Sequence, residues 1–392
     1  MNRKLFAALA ALSIAAAPAA AQQKVKIGII TTQSGPGAVL GREIVDGFNL
    51  GIKHSGGRLG GAETEVIVGD EQFKPEVGRA LAERMVQRDR VDIVTGVIWS
   101  NILLALADTV LKDRRGVFLV NSNAGPSELA GRNCHPNFFS VSWQNDNTHE
   151  AMGQHVQSSG VKRAYIMAPN YAAGKDALTG FKRFYKGQVV AEVYTQLGQT
   201  DYAAEIAALR AARPEGTYIF YPGGMGIAFI RQYAQAGLTQ QVPLYGPSFS
   251  LDQTILPGIG DAALGVFAST FWSERLQNSA NQRFVQDYEA TYNRIPSPFA
   301  AQSYDTAQLI DSALKAVGGD ISKKDAFRNA LRVANFNSVR GPFKFNRNHF
   351  PIQNYYLTQI VKDERGRLVN DLRGVIFSSH EDAYVKDCKM KW

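Results

Sequence analysis

The sequence predicts an α/β protein built from two doubly wound, mostly parallel sheets, and three observations carry that prediction. Short β-branched runs alternate with helical stretches in a β-α-β-α rhythm, the pattern of parallel sheets covered by helices on both faces. The rhythm breaks near residue 143 and then restarts, which indicates two similar lobes rather than one large sheet. The length, 392 residues, fits two domains at about 150 residues each.

In order, Lys24–Thr32 reads as a strand ending in a glycine-rich turn, followed by a helix over Arg42–Lys53. Strand Glu65–Gly69 precedes helix Pro75–Gln87, strand Val91–Thr95 precedes helix Ile102–Leu111, and Val117–Val120 is a fourth strand. After Trp143 the series is helix Glu150–Gln157, strand Ala164–Ala168, helix Ala172–Tyr185, strand Val189–Tyr194 and helix Ala203–Ala212. Strand Thr217–Tyr221, helix Ile227–Ala236 and strand Val242–Tyr245 complete it. Helices over Asn281–Tyr292, Ala300–Val317 and Lys324–Val333 then follow almost without strands, which fits helices returning to cover the first lobe. Strands are expected at Val339–Phe345 and Tyr355–Lys362.

Composition narrows the class. Hydrophobic residues at 45% and charged residues at 20% are ordinary for a globular protein and argue against disorder. The formal charge of +8 is spread without a basic stripe, so no nucleic-acid partner is expected. Arg3 and Lys4, an apolar run over Leu5–Ala17 and the exit Pro18-Ala19-Ala20-Ala21 have the layout of a secretory signal peptide cleaved after Ala21. Its removal lowers the charge from +8 to +6 by taking away Arg3 and Lys4, and the mature chain is expected to be exported and soluble. Export favours a disulfide between the only two cysteines, Cys134 and Cys388, with two free thiols as the alternative.

Open α/β sheets bind ligands beyond the C-terminal ends of their strands, near helix N-termini. The loops at those positions are Ser34–Gly41, Gly96–Asn101 and Asn121–Pro126 in the first half, and Pro169–Gly174, Tyr221–Gly224 and Gly246–Ser250 in the second. They hold hydroxyls, amides, glycines and rings with little charge, which suits an organic anion held by neutral donors.

These loops carry a resemblance. The exported N-terminus, VKIGIITTQSGPGAVLG, VGDEQFKPEVGRALAERMV, GVIWSN, NSNAGPSELAG, NYAAGKD, YGPS and SYDTAQ occur in order along nearly the whole mature chain. Together they resemble the type I periplasmic binding proteins of ABC transporters, in the leucine/isoleucine/valine-binding branch. The resemblance implies two lobes joined by three crossovers, near Ser140–Trp143, Ala268–Trp272 and Phe345–Asn348, with a ligand cleft between them. Lobe 1 would comprise residues 22–142 and 272–345, and lobe 2 residues 143–271 and 346–392. A monomer that delivers a small carboxylate to a membrane permease, without a cofactor or a metal, is the implied role.

Residue by residue, Ser100 resembles the serine that holds the ligand carboxylate, and Ala124 and Gly125 the loop whose backbone completes that cradle. Asn101 and Asn123, in the same two loops, belong to the expected set. Tyr171 matches a ring that closes over the ligand, and Leu40 stands where relatives often carry one. Tyr221, in the Tyr-Pro-Gly-Gly stretch, is a further candidate ring of the second lobe. One departure stands out. Amino-acid binders of the family carry Glu after the Gly-Pro pair of the second lobe, to meet the ligand ammonium, and here Gly246-Pro247 is followed by Ser248-Phe249. A buried ammonium without a counter-ion costs several kcal/mol, so a carboxylate without an amine is expected. NAGPSELAG, SWQND and YPGGMG resemble the subgroup that binds benzoates, hydroxybenzoates and phenylpropenoates such as coumarate, with Trp99, Tyr171, Tyr221 and Phe249 as candidate walls.

Rival classes find less support. The six histidines show no metal-ligand spacing, no Gly-x-Ser-x-Gly elbow occurs, and Gly35-x-Gly37-x-x-x-Gly41 is one residue too long for a dinucleotide fingerprint. An enzyme is therefore not expected. Asp70-Glu71 reads as a polar strand end. A sensor built on the same fold is the remaining alternative, as is an amino-acid binder.

Overall fold

The computed structural model describes residues 24–391, so the segment read as a signal peptide lies outside the described residues. The first sheet is formed by β1 (Lys24–Thr31), β2 (Glu63–Asp70), β3 (Ile93–Thr95), β4 (Phe118–Asn121) and β5 (Phe138–Ser140). All are parallel, in the order β2-β1-β3-β4-β5. Between them run α1 (Ala38–His54), α2 (Pro75–Gln87), α3 (Ser100–Leu111) and the short α4 (Ser127–Ala130). Val25, Ile27, Ile29 and Ile30 of β1 are wholly buried, as a strand covered on both faces requires.

The second sheet repeats the plan. Helix α5 (Asp146–Ser158) leads into β6 (Arg163–Pro169), α6 (Ala172–Phe184), β7 (Gln188–Thr195), α7 (Ala203–Ala212) and β8 (Gly216–Ile219). Then come α8 (Gly224–Gln235), β9 (Leu244–Pro247), α9 (Leu256–Ile259) and β10 (Phe267–Thr270). The parallel order β7-β6-β8-β9-β10 is the same permutation as in the first sheet. Two lobes of one topology put their ligand-binding edges, the C-terminal ends of their strands, face to face.

Helices α10 (Ser279–Tyr292), α11 (Pro298–Ala316) and α12 (Lys324–Val333) return to the first lobe. The Ser297 side chain caps α11 by accepting from Ala300 N–H, and Pro298 occupies its first turn. Helix α11 lies against α1, where Ser303 Oγ donates to the Ile44 carbonyl, and α12 meets β4 through Phe327 and Phe118. Strand β11 is shorter than expected, Lys344–Phe345 rather than Val339–Phe345, because Asp305 takes the Val339 N–H and ties residues 338–340 to α11. Strand β12 (Pro351–Lys362) joins β10 antiparallel, and β13 (Leu368–His380) pairs with β12 as an edge strand that the sequence reading lacked.

The chain passes between the sheets three times, and the passages meet at one buried residue. Arg340 donates to the Ser142 carbonyl in the first, lies 5.4 Å from the Phe271 ring in the second and donates to Gln353 Oε1 in the third. Its counter-ion is Asp305 of α11 at 2.9 Å, also buried. Cys134 and Cys388 form a disulfide that ties the segment after β13 back to the loop before β5. No helix among the described residues is long and apolar enough to cross a membrane.

Candidate functional site

Between the lobes lies a tight chamber with about 20 Å³ of free cavity volume. Lobe 1 supplies Trp99 and Ser100 at the start of α3, Asn123 and Ala124 after β4, and Phe299 at the start of α11. Trp143 and Asn145 come from the first passage, and lobe 2 supplies His149, Tyr171, Phe220 and Phe249. Each lobe thus contributes its strand ends, as the doubly wound topology dictates.

The polar end is built around Ser100, the first residue of α3. The first turn of a helix leaves backbone N–H groups without intrahelical acceptors, and the helix dipole makes this end attractive to anions. The Ser100 hydroxyl accepts from Asn145 Nδ2 at 3.0 Å, which leaves its own proton free to donate into the chamber. His149 is buried, which depresses its basicity to about 3, so it is neutral at physiological pH. Its Nδ1 is bonded to Tyr218 Oη. A Tyr218 proton donated to Nδ1 puts the imidazole proton on Nε2, which has no partner among the described residues. The Tyr171 hydroxyl also has none, and burial holds it in the neutral phenol form.

The remaining wall is apolar and aromatic. Trp143 lies 4.2 Å from Phe249, which meets Phe299 edge-on at 5.5 Å across the lobes. Tyr171 stacks on Phe220 at 6.3 Å and faces Trp99 at 6.2 Å. Among the described residues, no Lys, Arg, Asp or Glu lines the chamber.

Of the residues expected from the sequence, Trp99, Ser100, Asn123, Ala124, Tyr171 and Phe249 are brought together here. Several of the expected residues serve other roles than the expected one, or lie off the chamber. The Ala124 N–H donates to the Val97 carbonyl and the Gly125 N–H to Asn145 Oδ1, so neither is free to form the expected anion cradle. Gly125 is required for a different reason, since a Cβ there would lie 2.0 Å from the Trp143 carbonyl. The Asn123 side chain bonds the Ile98 carbonyl and Gln302, so it supports the wall. Tyr221 points into the lobe-2 core, where Thr195 bonds its hydroxyl at 3.1 Å, and Phe220 is the ring that reaches the chamber. One step along an extended chain reverses the side chain's direction.

Asn101, one helical step past Ser100, does not line the chamber, and its buried Oδ1 has no partner among the described residues. Leu40 is buried beside the approach of Gly223 from the other lobe, and Ser248 is buried off the chamber wall. Asn145, His149, Phe220, Trp143 and Phe299 are lining residues that the sequence reading did not assign. The signals present were the SWQND phrase for Trp143 and Asn145, and the Ser297-Pro298 helix start for Phe299.

Asn145 ties these parts together. Its N–H donates to the Gly125 carbonyl at 2.8 Å, and its Nδ2 donates to both Ser100 Oγ and Asp176 Oδ2, the latter at 2.9 Å. Asp176, on α6 of lobe 2, also accepts from Ser127 Oγ and Ser127 N–H of lobe 1, at 2.8 and 3.2 Å. Burial raises the Asp176 carboxyl above its usual range, against the bonds from Asn145 and Ser127 that favour its ionised form.

Two lobes of equal topology, joined by three passages and closed on a chamber lined by their strand ends, define a solute-binding clamp. The chain belongs to the periplasmic binding protein family, whose profile matches residues 24–365, and it is a solute-binding protein of the ABC-transporter kind. An ABC transporter solute-binding protein from R. palustris, solved with benzoate, is similar over 94% of this chain and 100% of that one, at 32% identity and a TM-score of 0.88. A solute-binding protein from Rhodopseudomonas palustris BisB5, solved with 3,4-dihydroxybenzoic acid, is similar at 27% identity and a TM-score of 0.84, covering 92% of this chain and 99% of that one. The Leu/Ile/Val-binding protein homolog 6 of Brucella melitensis biotype 1 is 27% identical over 381 residues, 94% of this chain and 96% of its own.

Proposed function

We propose that this protein captures a small aromatic carboxylate in the periplasm and presents it to an ABC permease. The observation that carries the reading is the composition of the chamber wall: six aromatic rings, Ser100 and neutral His149, with no carboxylate to pair with an ammonium. A benzoate-type ligand would place its carboxylate at the Ser100 hydroxyl and the first-turn N–H groups of α3. Its ring would lie among Trp143, Phe220 and Phe249. Charge-assisted bonds from neutral donors hold an anion without a buried counter-ion. Binding is a shift toward the closed clamp, with lobe limits near 142/143, 271/272 and 345/346. The structural relatives solved with benzoate and 3,4-dihydroxybenzoic acid support the ligand class.

A thermal-shift panel of benzoate, 4-hydroxybenzoate, coumarate, leucine and phenylalanine, on protein refolded to strip carried-over ligand, tests the reading. A ligand at 100 times its Kd adds about 2.7 kcal/mol. Stabilisation by the aromatic acids and not by leucine is expected. Stabilisation by leucine alone would overturn the ligand class and favour the name carried by the Brucella relative.

A further inference from the structure

A second cavity of about 170 Å³ lies beside the ligand chamber. Its wall includes Pro36, Gly37 and Phe73 of lobe 1 and Leu197, Gly223 and Met225 of lobe 2, and it shares only Trp99 and Pro222 with the chamber. The Trp99 indole therefore stands between two spaces. What fixes it there is built from residues outside the chamber. Indole Nε1–H donates to Thr32 Oγ1 at 2.7 Å, and the Thr32 hydroxyl donates onward to Glu71 Oε1 at 2.5 Å. Thr32 and Glu71 are both fully buried, and Glu71 also takes the Phe73 N–H at 3.4 Å.

Gln72 and Phe73 are two successive non-glycine residues in the left-handed region, with φ of 55° and 62°. That costly backbone delivers the Phe73 ring edge-on to Trp99 at 4.4 Å. Gly37 completes the clamp, since a Cβ there would come within 3.2 Å of the indole benzo ring. A buried acid, a hydroxyl that accepts and donates at once, a strained loop and a glycine all converge on one ring.

We infer that Trp99, locked by the Thr32–Glu71 relay, is the partition that sets the length of the acid admitted, and that releasing it joins the two cavities into a site for aromatic acids longer than benzoate. This rests on the chamber being the ligand site. Thr32 and Glu71 act through Trp99 and are positioning residues.

The test compares benzoate with biphenyl-4-carboxylate by calorimetry in the wild type, Thr32→Val, Trp99→Phe and Thr32→Ser. Thr32→Val removes both relay bonds, and Trp99→Phe removes the indole N–H and shortens the wall. Each is expected to raise the affinity ratio of biphenyl-4-carboxylate to benzoate by roughly tenfold or more, and Thr32→Ser to return it to the wild-type value. General loosening of the fold would weaken both ligands and leave the ratio unchanged. Benzoate binding in the wild type with an unchanged ratio in Thr32→Val and Trp99→Phe would overturn the partition. Should Thr32→Val fail to fold, Trp99→Phe decides. Should the wild type bind neither acid, the functional reading fails instead. Crystal structures of the wild type and the folded variant then judge the partition, and two cavities still separate in the variant would overturn it.

Discussion

Ser127→Ala tests how the clamp holds itself shut. Ser127 belongs to lobe 1 and Asp176 to lobe 2, so the 2.8 Å bond between them exists only when the lobes are together. A hydrogen bond to a charged group contributes about 1.5–3 kcal/mol. Asp176 keeps the Asn145 amide and the Ser127 N–H in the variant, so the lower end applies. About 1.4 kcal/mol is one decade in an equilibrium constant, so the closed state should become roughly tenfold rarer. If the empty protein is mostly open, apparent affinity falls by the same factor. The assay is calorimetric titration at pH 7.5 with the acid that gives the largest thermal shift, alongside small-angle scattering of the unliganded protein. A Kd about tenfold weaker, with no loss of maximal heat, is expected. A Kd within about twofold of the wild type would refute the idea that this bond contributes to closure.

Two stability predictions follow from buried charge. Asp252 is fully buried, with Oδ1 bonded to Thr254 N–H at 2.7 Å and Oδ2 unpartnered among the described residues, and burial pushes its carboxyl up to about 7. The folded state thus holds the proton more tightly than the unfolded chain, so this stability is full below pH 4, falls as pH rises from 4 through 7 and is gone above that. Asp252→Asn should remove a slope worth on the order of 4 kcal/mol between pH 4 and 8, and parallel Tm–pH curves for the two proteins would contradict this. Asp305→Ala should cost about 3–5 kcal/mol in urea unfolding, because Arg340 stays buried without its counter-ion; a loss under about 1 kcal/mol would show that Arg340 is satisfied by Ser142 and Gln353 alone.

The alternation of strands and helices was legible because parallel strands covered on both faces must be continuously apolar, as in Ile27–Ile30. Strand β13 was not, since an edge strand in the segment Asp371-Leu372-Arg373-Gly374 has only one face to bury and reads as polar loop. At the site, residues that follow a strand directly, such as Trp99, Ser100 and Tyr171, could be found from sequence position. His149 could not, because α5 starts four residues before the expected helix and the passage that sets its direction is a long-range feature. The engagement of the Ala124 and Gly125 N–H groups was equally invisible, since their acceptors, Val97 and Asn145, lie 27 and 20 residues away.

The cross-link between Cys134 and Cys388 has a consequence for how the protein is made. The two residues are 254 apart, and every strand of both sheets is translated before the second of them. Cys134 is therefore synthesised early and stays a lone thiol until Cys388 follows it. No other cysteine exists for it to mispair with inside the same molecule. Oxidation can close the correct bond only after β12 and β13 have been delivered, so bond formation follows delivery of both sheets rather than guiding early folding. Maturation should need an oxidant but no isomerase, and the interval before closure is when the exposed thiol is open to capture by another molecule.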